Sequence, residues 1–302
     1  MSASANSVKS IFYALGANLA IALAKSAGAL YTGSSSMLAE AIHSYADCAN
    51  QALLLWGLKE ARHAATPDHP LGYGRAIYFW SFIVALMLFS MGGLFSIYEG
   101  VHKLHEAEPM KSAWVAIAIL CFGIVAESVS LWGALREIDK ERGTLTLWRW
   151  FRTSRQSELL VILGEDLAAL GGLTLALGFI GLAAATGNPM WDAIGSIAIG
   201  VLLVLVAVLV GVEVKALLVG QSAEPVLIAR MREHLQAQEE VAQIYSLLTQ
   251  QLGGDVMVAV KAQLQPVGSD TALIDAINRI ERGFRAQFPQ VRWMFFEPDL
   301  SD

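Results

Sequence analysis

Three features of the sequence predict an α-helical membrane bundle of six transmembrane helices followed by a small α+β domain. The first is composition: of 302 residues, 55% are hydrophobic and only 16% are charged, whereas soluble chains carry about 25% charge. The second is a series of six apolar stretches, each near the roughly 20 residues that a spanning helix needs. The third is a change to the composition of a soluble domain from about Ala223 onward. These place a transmembrane domain at 1–222 and a C-terminal domain at 223–302.

The spans fall at about 8–31, 37–58, 76–101, 112–135, 158–185 and 190–219. The third runs from Ala76 to Tyr98 without a charge, and the fifth from Leu167 to Trp191. The first contains Lys25, and the second His43 and Asp47, so hydropathy alone marks those two less strongly. The first stretch is too long for the apolar core of a signal peptide and is retained as a span. Thr32-Gly33-Ser34 and Gly187-Asn188-Pro189 are the turns after the first and fifth spans. Basic residues collect on one side: Lys59, Arg62 and Arg75 after the second span, and Arg136, Lys140, Arg142, Arg149, Arg152 and Arg155 after the fourth. The other side has chiefly Lys103 and Lys111. The positive-inside rule then puts both termini in the cytoplasm. Small residues, Gly16, Ala17, Ala20 and Ala24 in the first span and Gly171, Gly172 and Gly178 in the fifth, suit close helix packing.

In the tail, a helix near 225–237 precedes a strand near 241–249. Gly253-Gly254-Asp255 then turns into a strand from Val256 to Leu264 whose Val256, Val258, Val260 and Leu264 share a face. A helix with Leu273, Ile277, Ile280 and Phe284 on one side follows, and then a strand near 291–297. The order αββαβ fits an open sheet with its helices on one face, ferredoxin- or metallochaperone-like. About 80 residues make a small core, which pairing with a second copy would enlarge.

Some functions are excluded at this level. The net charge of −6 comes without a basic run for nucleic acid. Cys48 and Cys121 are the only cysteines, both in apolar stretches, so neither a disulfide framework nor a CxxC zinc site exists.

The chemistry lies in ionisable residues within the spans. Such groups cost several kcal/mol at bilayer depth and ordinarily face a bundle interior or a water-filled path. Glu40, His43 and Asp47 share one face of the second span, with His43 and Asp47 one turn apart. An imidazole nitrogen and a carboxylate so placed reach one ion at about 2.0–2.2 Å each. The fifth span adds Glu165 and Asp166 within Leu163-Gly164-Glu165-Asp166-Leu167. The competing reading is that His43 and Asp47 hydrogen-bond each other and fix packing, which gives the fifth-span carboxylates no purpose. Lys25, Glu99, Glu127, Asp192 and Glu213 are candidates for structural pairing or interfacial positions. Glu127 is also a candidate proton or ion relay.

Together these residues resemble the cation diffusion facilitator family of zinc-transporter type. The resemblance rests on the six spans and on Thr32-Gly33-Ser34-Ser35-Ser36-Met37-Leu38-Ala39-Glu40-Ala41-Ile42-His43-Ser44. It rests also on His69-Pro70-Leu71-Gly72-Tyr73-Gly74-Arg75, on the His-x-x-x-Asp of His43 and Asp47, and on the αββαβ tail. It implies a homodimer in the lipid bilayer that exchanges zinc or a related divalent ion for protons, with the tail as a cytoplasmic dimerisation domain. Ile162 stands where the family's usual fifth-span His-x-x-x-Asp has histidine, while Asp166 matches the aspartate. Glu165 is the substitute ligand, similar to the Glu-Asp pair of the branch related to mitochondrial-type zinc transporters. Tyr73 replaces a histidine of the loop motif, leaving Asp68 and His69, and the tail has one histidine, His234.

The expected metal site is therefore His43, Asp47, Asp166 and Glu165. Such a ligand set suits zinc first and also manganese, iron(II) and cobalt. Binding needs deprotonated ligands, so an exporter exchanging metal for protons follows. The expected setting is a bacterial inner membrane. A membrane metalloenzyme lacks its His-Glu-x-x-His motif; a non-transporting membrane metal sensor is the other alternative. The basic, aromatic segment 136–155, with Trp148, Trp150 and Phe151, reads as an interfacial helix.

Overall fold

The computed structural model describes residues 18–105 and 112–301. Residues 8–17 of the first expected span, with Gly16 and Ala17, and Lys111 of the basic count lie outside the described residues. The chain divides into two compact units, one comprising Met1–Gly57, Trp80–Leu145 and Glu158–Val214, the other Leu58–Phe79, Thr146–Ser157 and Lys215–Asp302.

Helices account for the first unit. They are α1 (18–32), α2 (Ser35–Ala61), α3 (Ala76–His105), α4 (Ala113–Arg142), α6 (Ser157–Thr186) and α7 (Met190–Val219), while a short α5 (Leu147–Thr153) lies in the second unit. Among the described residues, α3, α4, α6 and α7 are long and apolar enough to cross a membrane. The described part of α1 is too short for that test. The 27-residue α2 is long enough but carries Glu40, His43, Asp47 and Asn50.

The core of this unit takes Ala29 from α1, Met37 from α2, Leu88 from α3, Leu120 from α4, Leu173 and Ile180 from α6, and Ile199 and Leu203 from α7. Outward surfaces stay apolar, as α4 shows with exposed Trp114, Phe122, Val125 and Val129. Close approach of α3 to α7 depends on glycine. A Cβ on Gly100 would lie 2.8 Å from the Ala193 carbonyl oxygen, and one on Gly200 2.7 Å from that of Gly93. Beside this seam α3 is π-helical from Leu88 to Leu94. The expected stripe of Ala20 and Ala24 faces outward. The buried face of α1 is Ala22, Lys25 and Ala29, because the Lys25 ammonium has to reach its partners on α2.

The start of α2 is fixed by one carboxylate. Asp192, in the first turn of α7, accepts from the Ser34 and Ser35 hydroxyls at 2.7 and 3.0 Å and from the Ser35 and Ser36 amides at 2.7 and 3.3 Å. A helix N-terminus has free amide donors and a positive dipole end, so a buried anion there is stabilised twice. This accounts for the serine run before α2, and gives Asp192 a structural role.

In the second unit, α8 (Pro225–Gln236) and α9 (Asp270–Gln287) cover one face of a sheet made of β1 (Val241–Leu252), β2 (Asp255–Leu264) and β3 (Val291–Pro298). Strand order is β1-β2-β3, with β1 antiparallel and β3 parallel to β2. Alternation puts Val256, Val258, Val260 and Ala262 inward against Met231, Leu235, Ile280 and Phe284, with Leu264 half-buried beside them. Ser269 caps α9 by accepting from the Ala272 amide.

Two other segments join this unit. Tyr78 accepts from the Gly253 amide at 2.9 Å, Arg75 donates to the Leu218 carbonyl, and Gly74 lies against the Leu252–Gly253 backbone. Arg155 donates to the Ser222 carbonyl at 2.7 Å. Of the segment 136–155 read as interfacial, residues up to Arg142 end α4 and Leu147–Thr153 form α5; of its aromatic residues Trp148 is exposed, while Trp150 and Phe151 are buried in protein.

Replacing Asp192 with alanine should cost about 2–4 kcal/mol, since it strands the amides and hydroxyls that open α2. The unfolding midpoint in detergent should fall, and fall less for Asp192→Asn, which keeps an acceptor. Equal stability of wild type and Asp192→Ala would remove this carboxylate from the anchoring of α2.

Candidate metal site

Every third or fourth residue of α2 from Glu40 is polar: Glu40, His43, Ser44, Asp47 and Asn50. That spacing puts them on one side of the helix, and the fold turns this side inward. Lys25 of α1, fully buried, donates to Glu40 Oε2 at 3.1 Å and to Ser44 Oγ at 2.8 Å. The other Glu40 oxygen reaches toward α6, where a side chain on Gly172 would collide with it. This pair is structural, as the sequence allowed.

His43 has no comparable partner. Its side chain is fully buried, and among the described residues neither ring nitrogen has a hydrogen-bond partner; Asp47 Oδ1 is likewise buried without one. The closest approach is 3.7 Å, from His43 Nδ1 to Asp47 Oδ1. Two ligands at about 2.0–2.2 Å on a tetrahedral zinc ion stand about 3.3–3.6 Å apart. A shift of a few tenths of an ångström would let both atoms hold one ion, whereas 3.7 Å is too long for a hydrogen bond. The π-helical segment of α3 passes beside this ring: a Cβ on Gly92 would lie 3.7 Å from His43 Nδ1. Such segments concentrate at functional sites.

Glu165 and Asp166 are adjacent in α6 and engage different helices. Glu165 Oε1 accepts from Asn50 Nδ2 of α2 at 2.5 Å, and Asp166 accepts from Ser130 of α4 at 3.2 and 3.3 Å. Neighbours on a helix point about 100° apart, which explains the division. The carboxylates of Asp47, Glu127, Glu165 and Asp166 lie within electrostatic reach of one another. Their oxygens and the His43 nitrogens do not meet at one point: among the described residues, no group of three or more His, Cys, Asp or Glu side chains is arranged to hold a metal ion. The structure thus groups Asp47, Glu165 and Asp166 within electrostatic reach of one another and pairs His43 with Asp47.

Asn50 and Ser130 are site residues that the sequence reading missed. Asn50 follows His43 by seven residues and Asp47 by three, and Ser130 follows Glu127 by three, so helical spacing was the available signal. The other histidines among the described residues lie elsewhere. His69 stacks on Tyr73 at 4.3 Å, with His63 edge-on to the same ring, and His234 packs against Phe284 and Phe288.

A family model described as the cation efflux transmembrane domain matches residues 11–219. The chain therefore belongs to the cation efflux, or cation diffusion facilitator, family of membrane transporters. Similar proteins include the Mus musculus proton-coupled zinc antiporter SLC30A9, mitochondrial, 37% identical over 228 residues, or 74% of this chain and 40% of the relative. Metal tolerance protein C4 of Arabidopsis thaliana is 30% identical over 229 residues, 75% of this chain and 50% of the relative. Zinc transporter ZitB of Escherichia coli (strain K12) is 24% identical over 274 residues, 90% of this chain and 82% of the relative. The chain spans half or less of the first two.

The Lys25–Glu40 pair generates a stability prediction. Lys25→Met should destabilise the protein by about 3–5 kcal/mol, because it leaves a buried carboxylate uncompensated, whereas Lys25→Met with Glu40→Met should recover most of the loss. Thermal unfolding of the single and double variants in detergent measures this, and a single variant as stable as wild type would count against the pair.

Proposed function

We propose that this chain is a divalent-cation transporter, with zinc as its first cargo, that moves the ion through a site built on His43, Asp47, Asp166 and Glu165 in exchange for protons. The observation that carries the reading is His43: a fully buried imidazole whose nitrogens have no partner among the described residues, 3.7 Å from a carboxylate oxygen equally without one. Buried polar atoms are normally hydrogen-bonded, so two facing each other at metal-ligand spacing call for an ion. The relatives named as zinc transporters support zinc, and manganese, iron(II) and cobalt remain in the panel to be tested.

In this proposal α1 and α2 join α3, α4, α6 and α7 as six spans. The amphiphilic α2 is tolerated in the bilayer because its polar side faces inward. Both termini are cytoplasmic, in a bacterial inner membrane. Residues 223–302 pair with a second copy to make a homodimer, supported by the open sheet face, where Leu248, Ala259 and Phe295 lie in register and Leu248 and Phe295 are exposed.

The mechanism follows from the ligands. Zinc binds neutral imidazole and ionised carboxylate, so arrival of the ion expels protons and their return favours its release. His43 and Asp47 form one half of the site on α2. Asp166 and Glu165 form the other on α6 when the Asp166 oxygens turn from Ser130, and those of Glu165 from Asn50, to the ion. Opening this site alternately to each side couples export to proton uptake.

Purified protein in liposomes, offered a panel of divalent metals with and without a pH gradient, tests the function. Zinc flux should be driven by an opposed proton gradient, and His43→Ala or Asp166→Ala should each cut it by at least about tenfold. Wild-type flux in either variant would overturn the site. Protons compete for the same ligand atoms, so zinc affinity should rise with pH and each bound zinc should release protons into weakly buffered solution. Affinity independent of pH would remove the proton coupling.

A further inference from the structure

We propose that Glu127 of α4 is an approach ligand for the divalent cation: it draws the ion into a cleft between α1, α2 and α4 and passes it to Asp47. The inference rests on the transport reading above and adds a residue and a route to it.

The cleft is lined by Asn18 and Ile21 of α1, Ser44 and Asp47 of α2, and Glu127. It brings Glu127 and Asp47 into one lining, so an ion entering it would meet both carboxylates together. Glu127 sits midway along α4, whose outward residues Val125 and Val129 are exposed and apolar. A structural carboxylate at such a position would have a donor. Among the described residues Glu127 has neither a hydrogen bond nor an ion pair. The nearby ammonium, Lys25, is committed to Glu40 and Ser44.

The charge balance points the same way. With Glu40 neutralised by Lys25, Asp47, Glu127, Glu165 and Asp166 make a group of four carboxyls faced by one imidazole. When these carboxyls are ionised, that excess favours a dication over a monovalent ion or an anion. A cleft of one sign with low-dielectric walls concentrates the opposite ion and raises its association rate by about 10–1000-fold. One turn along α4, Ser130 holds Asp166, so the helix carrying the approach residue also touches the far half of the centre.

The test separates approach from coordination. In liposomes, Glu127→Gln should raise the KM for zinc by about fivefold or more while the saturating rate stays within about twofold, as for lost electrostatic attraction. Equilibrium zinc binding to the same variant in detergent, measured by calorimetry, should stay within about threefold of wild type. Glu127→Asp should restore most of the KM. An unchanged KM in Glu127→Gln overturns the proposal. Loss of equilibrium binding together with flux, as expected for Asp166→Ala, also overturns it by making Glu127 a ligand of the centre itself. Failure of the underlying reading looks different, because His43→Ala and Asp166→Ala would then transport zinc normally.

Discussion

The ion pair between Lys25 and Glu40, at 3.1 Å and fully buried, sets the terms for the rest of the membrane unit. An isolated charge at hydrocarbon depth costs several kcal/mol, and only a partner with good geometry offsets it. That requirement turns α1 so that Lys25 faces α2 and Ala20 and Ala24 face out. It turns α2 so that Glu40 faces inward, and with it the residues one, two and three turns further on. His43, Asp47 and Asn50 are interior because they share a helix face with Glu40. The other oxygen of Glu40 lies so near Gly172 that a side chain there would have to displace it. One charge pair thus fixes the facing of three helices and leaves a polar seam where they meet.

Asp192 supplies the second coordinate, depth. By collecting the serines and amides at the start of α2, it ties that end to the first turn of α7. The glycine seam holds α7 against α3 backbone to backbone, and brings the π-helical stretch with Gly92 alongside His43. His43 therefore lies two turns below an anchored helix end, beside a helix whose own hydrogen-bond pattern is already irregular. On the transport reading, a side chain placed by so many constraints, with neither nitrogen partnered among the described residues, is preorganised for a ligand.

Much of this was legible in the sequence because charge in an apolar helix is conspicuous. His43, Asp47 and Asp166 stand out by being costly, and the spacing of three and four is visible without coordinates. The tail was legible for the same kind of reason, since Val256, Val258 and Val260 alternate as a half-buried strand must. Asn50 and Ser130 were not. Neutral polar residues are cheap enough in a helix that their presence signals little, and only the packing of α2 on α6 and of α4 on α6 shows what they hold. Trp150 and Phe151 misled because aromatic residues beside arginines fit an interfacial helix and a buried one equally well. The division of Glu165 from Asp166 could be foreseen from the helical turn, though not the identity of each partner.

Those neutral partners bear on how a transporter releases its cargo. A site of ionised ligands with no alternative donors would bind a dication tightly and then hold it, because departure would leave buried carboxylates facing one another. In this chain Asn50 donates to Glu165 and Ser130 to Asp166. Each carboxylate of α6 therefore has a hydrogen bond to return to, worth about 1.5–3 kcal/mol for a charged acceptor. On the transport reading these bonds lower the cost of the metal-free arrangement and bring the two states closer in energy. Transport requires that closeness, since an ion must bind well enough to enter and weakly enough to leave. On the same reading His43 and Asp47, which face each other without hydrogen-bond partners among the described residues, would supply the attraction, while the α6 carboxylates would supply the exchange.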